Sequence, residues 1–251
     1  MKRLYLTFLI FSFLLCRSIP SCAQDDAYDQ PESVESIQQQ IAPYIIPSEH
    51  KMKKALKEIF KKFPEAMANS KTLRAAGFSI LYHQPKSKIV VAQHPQLQGY
   101  LLKGYLDTEK PLVHQLPHWK LLLNRCIGAE NIRKLIKKEK LSLFKVPDKW
   151  LYVVPREKFT LVLLVTDMRL VSIGQSQRAW KYKASKKHLR ELYSILSHGY
   201  ASCWLAENIP YSKDGFFTCI DTEYPERQLD CRKARRYFSE SMQAYWDTLL
   251  R

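Results

Sequence analysis

The chain has 251 residues, 46% of them hydrophobic and only 7 of them glycine, which argues for a packed globule rather than a disordered polypeptide. Its formal net charge of +16 attracts phosphates, acidic proteins or anionic lipid without choosing among them. Solvated lysine-rich helix faces are the simplest source of such a charge.

Lys2 and Arg3 precede an apolar run from Leu4 to Cys16 that is too short to span a bilayer as a helix. The basic start, apolar middle and small residues Ser21-Cys22-Ala23 predict a signal peptide over 1–23, cut before Gln24. Lipidation at Cys22 is the lesser alternative, because Pro20 suits such a site poorly, and an uncut N-terminal anchor is another. Cleavage leaves about 228 residues carrying about +13. No other segment is apolar enough to cross a membrane, so a periplasmic or secreted protein is expected.

Residues 24–47 are polar, glutamine-rich and punctuated by proline, and read as a flexible arm. Ser48 is the expected N-cap of a helix whose apolar positions Met52, Ala55, Leu56, Ile59, Phe60 and Phe63 share one face. The segments 78–82 and 88–92, around Gln84-Pro85-Lys86-Ser87, predict a hairpin, and 99–106 a third strand. Lys103 is the single charge in that apolar strand. It needs a partner or an anionic ligand, unless it is an edge lysine that discourages aggregation. A helix over 119–138 turns Ile132, Leu135 and Ile136 inward, and two strands follow over 146–154 and 160–165. A linker rich in Gln, Lys and Ser then leads to a helix over 187–197. A last helix spans 239–250.

The most informative segment runs from Asn208 to Glu223. Its Lys213-Asp214-Gly215 is a hairpin signal, so Asn208 is brought near Asp221, thirteen residues later. Two such oxygen-bearing side chains suit a hard divalent cation on a nucleotide's phosphates. The four cysteines that survive processing (Cys126, Cys203, Cys219 and Cys231) allow three disulfide pairings and have no metal-ligand spacing. Pro117 separates His114 from His118, which removes the helix a zinc-binding pair would need. Gly174 to Arg178 lacks the second glycine of a nucleophile elbow, so a serine hydrolase has no motif.

The order of strands, helix, loop, Asn, hairpin and Asp from Phe78 to Asp221 resembles the protein-kinase-like fold, which includes aminoglycoside and lipopolysaccharide kinases. The resemblance implies an α+β, two-lobed architecture. An N-terminal helix and a five-stranded antiparallel small lobe with one helix would occupy 48–165, with a hinge near 166–169. A mainly helical large lobe over 166–251 would be shortened, because only 30 residues follow Asp221. The resemblance places Lys103 and Glu130 at the nucleotide phosphates and Asn208 and Asp221 on Mg2+. The departures fall where catalysis is decided. Cys203 stands five residues before Asn208, where the family has a carboxylate base. No glycine-rich turn covers the phosphates, and Thr222-Glu223 follows Asp221.

The expectation is therefore an exported pseudokinase or binding protein with no catalytic residue and at most weak binding of Mg2+ and ATP. Its partner would be a protein or another phosphorylated or anionic molecule. An active atypical phosphotransferase using Mg-ATP is the first alternative. A basic exported protein that binds nucleic acid or an anionic envelope surface is the second, with nucleic acid disfavoured because no reading motif is present. The chain also resembles exported proteins of chlamydia-like intracellular bacteria.

Overall fold

An antiparallel sheet with apolar residues on both faces organises the N-terminal half of the chain. The computed structural model describes residues 32–84, 89–108, 112–113, 116–223 and 229–251. Helix α1 (Val34–Ile41), a 3-10 turn (Ala42–Tyr44), α2 (Lys53–Lys62), a second 3-10 turn (Pro64–Met67) and α3 (Ser70–Ala75) come first. They lead into β1 (Ser79–His83), β2 (Val90–Gln93) and β3 (Tyr100–Gly104). A two-residue ladder of β4 (Leu112–Val113) and β5 (Leu116–Pro117) precedes the long helix α4 (His118–Glu139). Then come β6 (Phe144–Lys145), β7 (Lys149–Val153) and β8 (Leu161–Thr166). The sheet order is β1-β2-β3-β8-β7, antiparallel throughout. The chain is thus α+β with the expected five-stranded antiparallel sheet.

Strand β8 shows why both faces are covered. Its Val162 and Leu164 pack with Leu56, Phe60 and Leu73 from α2 and α3. Its Leu161, Leu163 and Val165 pack on the other face with Leu121, Leu122 and Cys126 of α4 and with Ile37 and Ile41 of α1. A period of two sends alternate residues to opposite faces, so a run of five apolar residues requires helices on both sides.

The C-terminal half has a separate apolar cluster. It is built by α5 (Ile173–Tyr182), α6 (Lys186–Ser197), the one-turn α7 (Leu205–Asn208), β9 (Phe217–Thr218), a 3-10 helix (Cys231–Tyr237) and α8 (Glu240–Leu249). Trp180 stacks on Phe217 with ring centroids 3.7 Å apart, and Leu189, Leu192, Ile195 and Trp246 close around them. Ile132 and Leu135 of α4 and Phe144 belong to this cluster too, so α4 joins both halves. Glu191 of α6 is buried and accepts from the backbone N–H groups of Ser142 and Leu143, fixing the exit of α4 on the helical half.

Several expectations need correction. Residues from Val34 onward are not an arm: α1 is amphipathic and buries Ile37 and Ile41. Ser48 does not cap α2. Its hydroxyl bonds Glu49, and the helix begins at Lys53 behind Met52 with no side-chain cap. The supposed linker before α6 contains α5, started by a capping box between Ser172 and Gln175. The segment 1–23, Cys22, the first residues of the supposed arm and the turn at Pro85 to Lys88 lie outside the described residues. Among the described residues no helix is long and apolar enough to cross a membrane.

Trp180 fills the centre of the helical cluster, and its indole N–H donates to the Ile209 carbonyl at 3.0 Å. Trp180→Ala is expected to cost about 3–5 kcal/mol by denaturant unfolding, as for large-to-small aromatic changes in a core. Trp180→Phe is expected to cost about 1–3 kcal/mol, because it mainly leaves the Ile209 carbonyl without its donor.

Candidate functional site

β3 sends Leu102 to the α2 face of the sheet, which leaves Leu101 and Lys103 for the face that carries α4. Lys103 stands between Val91 of β2 and Leu163 of β8. Burial, and after it the positive Arg125, pulls the ammonium pKa down to about 8 against the attraction of Asp221 and Glu223. Among the described residues Lys103 makes no hydrogen bond or close ion pair with a protein group.

The facing side of α4 carries Leu121, Arg125, Gly128 and Ile132, spaced at three and four residues along one stripe. Arg125 is 4% exposed and holds two carboxylates. Its Nη1 donates to Asp221 Oδ1 at 2.6 Å, and its Nη2 is bonded to Glu223 Oε2. Although burial alone would lower the arginine pKa, Asp221 and Glu223 raise it. In return, burial would raise the Asp221 carboxyl, but Arg125, Lys103 and Lys149 hold it below its ordinary value. The Tyr105 hydroxyl lies beside the guanidinium without a well-formed hydrogen bond, and burial pushes it up to about 12.

Thr222, between the two acids, ties the same segment to the helix. Its hydroxyl donates to the Arg125 carbonyl at 2.7 Å and accepts from the buried Lys149 Nζ at 2.7 Å. Lys149 also donates to the Ile220 carbonyl at 3.1 Å, and burial, then Lys103 and Arg125, pull its pKa well below the usual lysine value. Gly128 makes this contact sterically possible. A Cβ there would meet the Thr222 carbonyl oxygen at 2.3 Å.

The hairpin read from Lys213-Asp214-Gly215 delivers Asp221. Ser212 N–H donates to the Phe216 carbonyl at 2.9 Å, Thr218 N–H to Pro210 at 2.9 Å and Ile220 N–H to Asn208 at 3.0 Å. Gly215 sits at φ 92°, a left-handed turn position that glycine adopts readily.

Lys103, Arg125, Asn208 and Asp221 form the polar end of a cavity of about 680 Å³. Its remaining walls are mostly apolar: Val91, Leu101 and Val165 from the sheet, Leu170, Pro210 and Ile220 from the chain that follows. Residues 166–168 line it as well. There the backbone of Thr166 donates to Asp148, that of Asp167 to Gly99 and that of Arg169 to the Asp167 carboxylate. Among the described residues the N–H and C=O of Met168 enter no hydrogen bond.

Three of the four expected site residues therefore share one cavity, and Glu130 does not join them. It accepts from the Tyr44 hydroxyl at 2.8 Å and pairs with Lys134 at 2.7 Å. Five residues beyond Arg125 the helix has turned by about 140°, so Glu130 leaves the site face. Arg125, Glu223, Thr222 and Lys149 were missed. Cys203 is buried and absent from the cavity wall, and its thiol is raised by hydrogen bonding to Cys231 and by burial. All four cysteines among the described residues are free thiols.

A phosphate-bound Mg2+ would be held here by Asn208 and by one oxygen of Asp221. That ion demands near-octahedral oxygen ligands, and Asp221 has given one carboxylate oxygen to a guanidinium. Among the described residues no group of three or more His, Cys, Asp or Glu side chains could hold a metal. Compared with protein-family models, curated proteins and solved structures, the chain matches none.

Gly128→Ala is expected to destabilise the chain by about 1–3 kcal/mol, the usual cost of overpacking, because the Thr222 backbone must move off α4. Gly174→Ala, at a helical position with no atom within 4 Å of the new methyl, is expected to be neutral or to stabilise by about 0.5–1 kcal/mol. Equal effects in urea unfolding would contradict the close-packed contact.

Proposed function

We propose that this chain is a kinase-like protein that binds a nucleotide weakly and does not transfer its phosphate at a useful rate. The observation that carries the reading is the convergence of Lys103, Asn208 and Asp221 on one cavity whose other walls are apolar. Such a cavity suits a ligand with a flat apolar end and an anionic end. The apolar walls take the base, and the unpaired N–H and C=O of Met168 offer it one donor and one acceptor. Lys103, an ammonium with no protein acceptor, takes the phosphate charge. Kinase-like likeness remains part of this proposal, supported by the order of the five strands, α4 and the Asn208–Asp221 hairpin.

The reading of weak or absent transfer rests on the base position. A hydroxyl nucleophile needs a group that accepts its proton, and losing such a base costs about 10²–10⁴-fold in rate. Cys203 is held protonated and away from the cavity. Of the carboxylates on the cavity wall, Asp221 is paired with Arg125, Glu207 accepts from the Tyr237 hydroxyl at 3.1 Å and Asp167 accepts from the Arg169 backbone N–H at 2.9 Å. Destination after export and the identity of a protein partner belong to the same proposal: a basic, exported binding protein whose cleft takes an anionic ligand.

Calorimetric titration with ATP, beside a radiolabelled phosphate-transfer assay, tests this. Weak binding without labelling of protein or added acceptor is expected. Lys103→Met is expected to lose affinity by about 10- to 100-fold, the worth of one charge-assisted contact. Robust labelling that disappears in Asp221→Ala would contradict the reading.

The pH dependence has a definite sign. Lys103 binds an anion only when protonated, and its pKa is about 8 in the presence of Arg125, Lys149, Asp221 and Glu223. Affinity for ATP is expected to hold below pH 8 and to fall as pH rises above it. A flat profile through that range in the wild-type chain would remove Lys103 from the binding site.

A further inference from the structure

We propose that the cleft takes its nucleoside polyphosphate free of divalent metal, with Arg125 supplying the positive charge that a metal ion would otherwise bring to Asp221. This rests on the nucleotide reading above and specifies the ionic form of the ligand.

The grounds are the allocation of charges around the polar end. Asp221 and Glu223 are the acids here, and one guanidinium holds both. Arg125 cannot swing away cheaply. It is 4% exposed, its own backbone carbonyl is bonded by Thr222, and Gly128 lets the Thr222 chain lie against the helix one turn on. A divalent ion on Asp221 would share that carboxylate with a fixed cation, and like charges competing for one anion repel. Asn208 and the second Asp221 oxygen are what such an ion would be left with, beside a guanidinium held 2.6 Å from the first oxygen. A bare polyphosphate meets the opposite situation. Lys103 presents an ammonium with no protein acceptor on the same cavity wall as Arg125, and the basic groups Lys103, Arg125 and Lys149 outnumber the acids Asp221 and Glu223.

The test compares ATP binding to the wild-type chain by calorimetry in EDTA and in excess Mg2+. The dissociation constant in EDTA is expected to equal or improve on that in Mg2+, within about threefold. Arg125→Gln, checked for folding by circular dichroism, is expected to reverse the order, binding ATP at least about tenfold better with Mg2+ than without, because Asp221 is then released. Wild-type binding that requires Mg2+ would overturn the metal-free form and leave the nucleotide reading standing. No binding in either buffer would overturn the nucleotide reading itself, and the metal-free form with it. If Arg125→Gln does not fold, the wild-type comparison alone decides.

Discussion

The fold's two halves meet at one buried guanidinium. Arg125 projects from α4, whose flank covers the sheet, and grips Asp221 and Glu223 from the chain that leaves the hairpin. A buried charge of this kind is strongly unfavourable unless its partners are in place, and the acids need the arginine for the same reason. The hydroxyl of Thr222, the ammonium of Lys149 and the missing side chain of Gly128 serve the same seam. The cavity exists where it does because this seam holds residues 220–223 against α4 while Lys103 reaches in from β3.

Such an arrangement exchanges adaptability for rigidity. A carboxylate that must gather a metal during a reaction cycle is best left to solvent and small adjustments. Asp221 is instead 30% exposed and paired on one oxygen. The same pairing that fixes the geometry of the polar end ties one oxygen of the acid to Arg125. Cys203 is packed in the helical cluster, where a hydrogen bond with Cys231 and burial raise its thiol.

Much of this was legible in the residues. Lys103 stood out as the one charge in an apolar strand, and Lys213-Asp214-Gly215 announced the hairpin that carries Asp221. The strands of the sheet were readable because β-branched and aromatic runs alternate with turn residues. Arg125 carried the same kind of signal as Lys103, a lone charge on the stripe of Leu121, Gly128 and Ile132. It was hidden because arginines on helices are usually solvated and its partners lie 96 and 98 residues away. Glu130 was favoured because the resemblance pairs a glutamate of this helix with the strand lysine, yet helical geometry turns it toward Tyr44. Helix α5 was obscured by its Gln, Ser and Lys content, and only Ala179 and Trp180 with Ser176 form its buried face. Helix α1 was masked in the same way, since Ile37 and Ile41 are separated by glutamines.

The most direct test of the account is hydrogen–deuterium exchange on the wild-type chain with and without ATP. Slowed exchange confined to β3, residues 166–170 and residues 220–223 is the predicted result, since those backbones frame the cavity. Slowed exchange confined to the lysine-rich α2, with the cavity segments unchanged, would show that the nucleotide is held only as a surface anion and would contradict it.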